Sequence, residues 1–167
     1  PSLTDLFTFD LVNKYVGLGT GSPSGKLHVV GDIYHTGGSV GVGTASPAAT
    51  LDVVGTFSVA RASVLSQTLT DAATISWDTS QGQVATVTLG GNRTFAAPTN
   101  LKVGTYILHV IQDATGGRTI TWDPSTSKFK WSSGVAPTLS TTGGRRDVFS
   151  FVSDGTNLYG AMIPDVR

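Results

Sequence analysis

In the first third of the chain, apolar positions recur at period two in very short runs, each closed by Gly or Pro. Leu27 and Val29 alternate with His28, and Leu51 and Val53 with Asp52, which is the spacing of short strands and not of helices. These runs belong to a longer pattern that occurs twice, 24 residues apart. Val16-Gly17-Leu18-Gly19-Thr20-Gly21-Ser22-Pro23 precedes Leu27-His28-Val29-Val30-Gly31, and Val40-Gly41-Val42-Gly43-Thr44-Ala45-Ser46-Pro47 precedes Leu51-Asp52-Val53-Val54-Gly55; ten of sixteen aligned positions are identical. A repeat of this length signals units that cannot bury an apolar face alone and must stack on neighbours. With two copies in the chain, the missing neighbours are expected to come from other chains. Gly17, Gly19, Gly41 and Gly43 leave one face of each V-G-x-G strand bare, so another backbone can approach it. The Ser-Pro pair then turns the chain.

From residue 72 onward the apolar runs lengthen. Thr74–Trp77 and Gln83–Leu89 read as two strands; Gly90-Gly91-Asn92 after them supplies the positive φ of a tight hairpin. Tyr106–Gln112 and Arg118–Trp122 are expected to pair around Asp113-Ala114-Thr115-Gly116-Gly117. Asp147–Ser153 and Leu158–Ile163 form a last hairpin with Asp154-Gly155 at its turn. Short, regularly spaced strands predict an all-β domain, a sandwich or jelly-roll-like barrel, over 72–167. Residues 61–71, with Ala62, Val64, Leu65 and Leu69 but no Gly or Pro, read as a linker that holds a strand or one helical turn. Residues 1–15 form a connecting segment: Leu3, Leu6, Phe7 and Leu11 fit a helical stripe, Phe7, Phe9 and Leu11 a strand, and the lack of a capping partner favours extended structure.

Composition narrows the class. Charged residues make up 13% of the chain and all eleven acidic residues are Asp, which argues against long surface helices. Hydrophobic residues reach 39%, enough for a core in a domain of about 100 residues. The formal net charge of zero gives no electrostatic reason to expect nucleic acid or a membrane surface. No apolar run approaches the roughly twenty residues of a transmembrane helix. Without cysteine, neither disulfides nor thiolate metal sites are available, so stability rests on packing and assembly. The chain opens on Pro1 with no visible signal peptide, as expected of an excerpt or a mature fragment.

Candidate chemistry is sparse. His28, His35 and His109 are far apart and form no HxxxH or HExxH arrangement; one His per chain becomes three on a threefold axis, against the ordinary reading of solvated or hydrogen-bonded side chains. No G-x-S-x-G elbow or Walker loop is present, and the glycines at 17–21 and 41–43 lack the Lys and helix of a phosphate site. No catalytic residue, metal or cofactor is expected. Trp131, after Lys128-Phe129-Lys130, lies in a Ser-, Thr- and Pro-rich segment of loop character, where recognition usually resides; its alternative is to close the core. Arg145-Arg146 can meet an anionic group, remain solvated, or pair with Asp147 or Asp154 across subunits. Asn92-Arg93-Thr94 fits a glycosylation sequon and reads here as turn chemistry.

V-G-x-G-T-x-S-P followed by L-x-V-x-G, over about residues 12–60, resembles the shaft repeat of bacteriophage tail fibres and related adhesins, which are trimeric. Val87-Thr88-Leu89-Gly90-Gly91-Asn92-Arg93-Thr94, Ala97-Pro98-Thr99-Asn100-Leu101, Gly104-Thr105-Tyr106 and Phe151–Gly160 resemble the all-β module that often ends such fibres. The resemblance implies an interchain trimeric shaft over 16–60, with Gly17, Gly19, Gly41, Gly43, Leu27, Val29, Leu51 and Val53 in its core. It further implies a virion location in the tail fibre, outside the cell, with other tail proteins and a bacterial surface glycan or outer-membrane receptor as partners. Some phage adhesins cut polysaccharides with two acids, and Asp78 and Asp123 each follow a tryptophan, Trp77 and Trp122, in the aromatic-plus-acid pairing of a sugar site; their alternative is a buried ring beside a turn-forming Asp. The expected function is non-enzymatic adhesion, with Trp131, Arg145, Arg146, Trp77, Asp78, Trp122 and Asp123 as candidate receptor contacts. Its rivals are a purely structural virion protein (fibre segment, baseplate or head decoration) and a polysaccharide-degrading tailspike, which usually needs a long parallel β-helix.

Overall fold

The computed structural model describes residues 7–123, 125–126 and 128–167. Leu3, Leu6 and Pro124 therefore lie outside the described residues. The chain divides into two compact units, Pro1–Ala60 and Arg61–Arg167, and among the described residues it is built of strands and short 3-10 turns.

In the first unit, β1 (Phe7–Asp10) and β2 (Tyr15–Leu18) form an antiparallel hairpin. Asp10 holds its turn by accepting the N–H groups of Val12 and Asn13. β3 (Leu27–Val29) joins β2 in parallel, and β4 (Val40–Val42) and β5 (Leu51–Val53) form a second parallel pair. The sequence repeat is thus a repeat of register: Val16 stands opposite Leu27, and Val40 opposite Leu51. Even the flanking bonds match, since the Val16 N–H donates to the Lys26 carbonyl at 3.0 Å and the Val40 N–H to that of Thr50 at 2.8 Å.

The repeat glycines sit where a side chain would collide. Gly19 and Gly43 have φ of 73° and 77°, a region that strains other residues; a Cβ on Gly43 would also lie 2.9 Å from the Val54 carbonyl oxygen. On Gly17 and Gly41 a Cβ would lie 2.7 and 2.4 Å from the carbonyl oxygens of Thr20 and Thr44. At Gly19 and Gly43 the crowding backbone is that of Val30 and Val54, just beyond the paired strands β3 and β5, in keeping with the expected close approach of another backbone, while at Gly17 and Gly41 it is the chain's own turn. Three-residue parallel pairs have little to bury: Leu27 is 61% and Leu51 53% exposed, while Val29 and Val53 are half-buried.

The second unit has two sheets around one core. β6 (Ser66–Thr68), β8 (Val84–Leu89), β10 (Val103–Gln112), β12 (Phe129–Trp131), β13 (Arg146–Asp154) and β14 (Leu158–Val166) form a six-stranded sheet in the order β12-β14-β13-β10-β8-β6. β7 (Thr74–Ile75), β9 (Arg93–Phe95) and β11 (Ile120–Trp122) form a three-stranded sheet in the order β11-β9-β7. From β6 to β12 the chain changes sheet at every step, so β6, β8 and β10 run parallel in one layer and β7, β9 and β11 in the other. The β13–β14 hairpin, antiparallel to β10, closes the larger sheet.

This topology corrects two expected hairpins. Gly90-Gly91-Asn92 leads from β8 to β9, and residues 113–117 lead from β10 to β11, in each case into the opposite sheet. The turn residues mark where the chain reverses, but burial decides which strand receives it: placed in facing layers, Leu89 and Phe95 both enter the core, each 0% exposed. Parallel neighbours also replace the antiparallel pairing of a jelly roll, leaving a sandwich-like two-layer arrangement. The hairpin at Asp154-Gly155 forms as expected. Residues 66–68 of the expected linker supply β6, an edge strand of the larger sheet.

The core is aromatic. Trp77, Phe95, Phe149 and Phe151 are almost wholly buried, and Trp77 meets Phe95, Tyr106 and Phe151 edge-on at centroid distances of 5.9 to 6.4 Å. Such contacts add roughly 0.5–1.5 kcal/mol each to the area term. Gly160 lies beneath this cluster: a Cβ there would stand 2.5 Å from the Phe151 ring and 2.7 Å from that of Trp131.

Candidate functional site at the loop end of the second unit

Two polar side chains occupy core-facing positions at one end of the larger sheet. Along β10 the inward series Tyr106, Leu108, Val110 ends on Gln112, and along β13 the inward series that runs through Phe149 and Phe151 to Ser153 begins on Asp147. They are 2% and 1% exposed, and each is satisfied by a loop. The Gln112 Oε1 accepts the Arg118 N–H at 2.8 Å and its Nε2 donates to the Arg118 carbonyl at 2.9 Å. The Asp147 Oδ2 accepts the Ser140 N–H at 2.8 Å, while Oδ1 accepts the Ser140 hydroxyl at 2.7 Å and the Asp165 N–H at 3.0 Å. Burial of these groups is tolerable only because they are paired.

The loops are tied to one another as well. The Gly117 N–H donates to the Thr141 carbonyl at 2.7 Å, and the Gly144 N–H to that of Asp113 at 3.0 Å. Arg118 Nη2 donates to Asp113 Oδ2 at 2.7 Å, and this guanidinium, with the Gly116 N–H, holds the Asp113 carboxyl below its ordinary range. Between β11 and residues 136–141 lies a cleft of about 270 Å³ lined by Arg118, Thr119, Ile120, Pro137, Thr138 and Leu139, among others. Its walls combine hydroxyls and a guanidinium with an apolar floor, a combination that suits a small, polar, hydroxyl-bearing ligand.

The residues singled out in the sequence divide sharply. Trp77 is 1% exposed and has no surface to offer a ligand, which removes it as a receptor contact. Trp122, on β11 of the smaller sheet, and Trp131, on β12 of the larger, pack on each other at 5.0 Å and both on Phe149, so these half-buried rings close the edge of the core. Asp78 caps the 3-10 turn Thr79–Gln81, and bonds from Asn100 and then Ser80 lower its pKa. Asp123 accepts from the backbone and hydroxyls of Ser125 and Thr126, which lowers it to about 2. Both carboxylates are thereby committed to turns. Within the chain Arg145 pairs with Asp165 at 3.2 Å, while Arg146 is exposed. Asn92 of the sequon accepts the Thr119 N–H at 3.1 Å.

Residues 68–157 match a family model described as "putative phage tail fibre C-terminal domain". The match spans more than half of the chain. This chain belongs to that phage tail fibre family. It is accordingly a virion-associated tail fibre component. The matched span begins at the end of β6 and stops before β14, so the tail fibre domain includes Gln112, Asp147 and the whole cleft. No curated protein and no solved structure matches the chain.

Sequence reasoning passed over Gln112 and the buried anchoring role of Asp147, which it took only as an ion-pair partner, as well as the Arg118–Leu139 cleft. A signal existed for the first two: each is a polar residue at the core-facing parity of an otherwise apolar alternating strand.

Proposed function

We propose that this tail fibre component is a homotrimeric, non-enzymatic adhesin that binds a bacterial surface glycan or outer-membrane receptor through the cleft beside Arg118 and Leu139, and joins other tail proteins through the rest of the fibre. The observation that carries the reading is the double anchoring of the loop end by Gln112 and Asp147, because buried polar groups that hold loops rigid pre-organise a surface and lower the cost of binding. A cleft this small makes a weak individual contact. Three copies on one shaft would convert such contacts into avidity. The trimeric reading is supported by the first unit, in which strand residues such as Phe9, Leu27 and Leu51 are more than half exposed.

The test is binding of the purified full chain to host cells and to an array of bacterial surface polysaccharides. Thr138, exposed in the cleft wall, provides the probe: Thr138→Lys should abolish binding without altering the thermal melt. Equal binding by that variant would move recognition away from the cleft. Failure of the parent chain to bind any host surface would favour a purely structural fibre segment. Release of reducing sugar would restore the enzymatic reading.

A further inference from the structure

The zero net charge of the chain conceals a division. Residues 1–60 carry four Asp against two Lys, whereas residues 61–167 carry seven Asp against nine Lys and Arg. Within the second unit the arginines gather at one end. Arg93 opens β9, Arg118 precedes β11, Arg145 and Arg146 stand at the start of β13, and Arg167 follows β14; the topology brings all five to the loop end described above.

Four of these guanidinium groups have a carboxylate and one does not. Arg93 pairs with Asp71 and Arg118 with Asp113, both at 2.7 Å, while Asp165 is shared between Arg145 at 3.2 Å and Arg167 at 3.5 Å. Arg146 has no ion pair among the described residues. The carboxylate next to it in sequence, Asp147, is buried with both oxygens occupied by Ser140 and the Asp165 N–H. The charge of Arg146 reaches the sheet instead, since His109 is lowered first by burial and then by this arginine. Arg145, Arg146 and Arg167 thus share one exposed carboxylate, that of Asp165.

Arg146 and Arg167 border a cleft of about 310 Å³ together with Ile111, Gly144 and Val166. Its frame is fixed by backbone bonds. Arg146 stands between Ile111 and Val166 in register, the Gly144 N–H donates to the carbonyls of Gln112 at 3.2 Å and Asp113 at 3.0 Å, and the Gln112 N–H donates to the Arg145 carbonyl at 2.8 Å. No atom lies within 4 Å of the place a Gly144 side chain would occupy, so the mouth stays open. A guanidinium fork matches the paired oxygens of a carboxylate or phosphate, and here two forks border one small cleft. We infer that this cleft is an anion subsite that takes a carboxylate or phosphate group of an acidic surface glycan. The inference rests on the adhesin reading proposed above and narrows its ligand from glycans in general to acidic ones. Segment 138–144 borders both clefts, this one through Gly144 and the earlier one through Thr138, Leu139 and Thr141.

Binding of the full chain to host cells, with polygalacturonate, poly(glycerol phosphate) and dextran as competitors, tests the subsite. One or both polyanions should displace the chain from the cells, and neutral dextran should not. Arg146→Gln and Arg167→Gln should each lower the apparent affinity at least about fivefold, with circular dichroism and the thermal melt those of the parent. Lys102→Gln makes the same charge change on an exposed residue at the opposite end of β10 and should leave binding unchanged. If all three variants weaken binding alike, the attraction is diffuse and no subsite exists. Host binding that survives Arg146→Gln undiminished overturns the inference, and Thr138→Lys then shows whether the other cleft still stands. Displacement by dextran as readily as by the polyanions, or by neither polyanion, overturns the acidic ligand and leaves adhesion intact. A parent chain that binds no host surface removes the adhesin reading and this inference together.

Discussion

The carboxylate of Asp147 grips Ser140 twice, accepting its backbone N–H at 2.8 Å and its hydroxyl at 2.7 Å. One buried side chain on β13 therefore sets the position of the segment that forms a wall of the cleft. The same carboxylate takes the Asp165 N–H at 3.0 Å, so the last strand is tied to that point.

Asp147→Asn is almost isosteric but turns one acceptor oxygen into a donor. It should leave a Ser140 or Asp165 donor unpaired and destabilise the second unit by about 1–3 kcal/mol. Chemical denaturation would measure the loss, and faster amide exchange over 138–141 would show that it is centred on the loop. A variant that melts like the parent would mean that water replaces the carboxylate there.

Gly43→Val combines a positive φ with a contact to the Val54 carbonyl. It should disrupt the β4–β5 pair and impair assembly, because β-branched residues resist the left-handed region. Gly25, where an added Cβ meets nothing within 4 Å, is the control: Gly25→Ala should assemble normally. Sedimentation equilibrium of the two variants decides the matter, and equal behaviour would make the repeat glycines mere filler.

Among the tryptophans, burial predicts the order of damage. Trp77→Ala should cost about 3–5 kcal/mol, the usual loss for a large buried aromatic. Trp131→Ala should also lower the melting temperature, by less, since the ring is half-buried but packs on Trp122, Phe149 and Phe151. Arg145→Ala removes a partly exposed pair with Asp165 and should cost less than about 1 kcal/mol. A Trp131 variant that melts like the parent but loses host binding would return that residue to the recognition surface.

Acid should weaken the second unit in a defined window. Asp154, held by the N–H groups of Asn157 and Thr156 and by the Tyr159 hydroxyl, has its pKa lowered from 3.8 to about 2, as does Asp123 through Ser125 and Thr126. In that interval the unfolded chain binds more protons than the folded one, so the stabilisation is complete above 3.8 and is lost as pH falls towards about 2. Thermal melts across this range should decline, and Asp154→Asn should flatten the decline. His109, lowered from 6.5 by burial and then by Arg146, acts with the same sign at higher pH: its contribution is full above 6.5 and lost as pH drops through the lowered value.

Local chemistry was legible in the chain itself. Period-two alternation located most of the strands, the duplicated V-G-x-G-T-x-S-P pattern located two units of equal register, and Asp154-Gly155 located the hairpin that forms. These depend on contacts within a few residues, so sequence neighbours suffice to specify them. Partner choice was not legible. Gly90-Gly91-Asn92 and residues 113–117 announce turns whatever sheet the next strand enters, and only the competition to bury Leu89, Phe95 and Trp122 in one core sends the chain across to the opposite layer. The same long-range burial turned Trp77, Trp122 and Trp131 from plausible sugar platforms into core, whereas Asp78 and Asp123 were committed to turns by neighbours two or three residues on, and Gln112 and Asp147 hold loops only six and seven residues away. A side chain's type limits what it can do; which other side chains share its space decides what it does, and that is settled by tertiary packing.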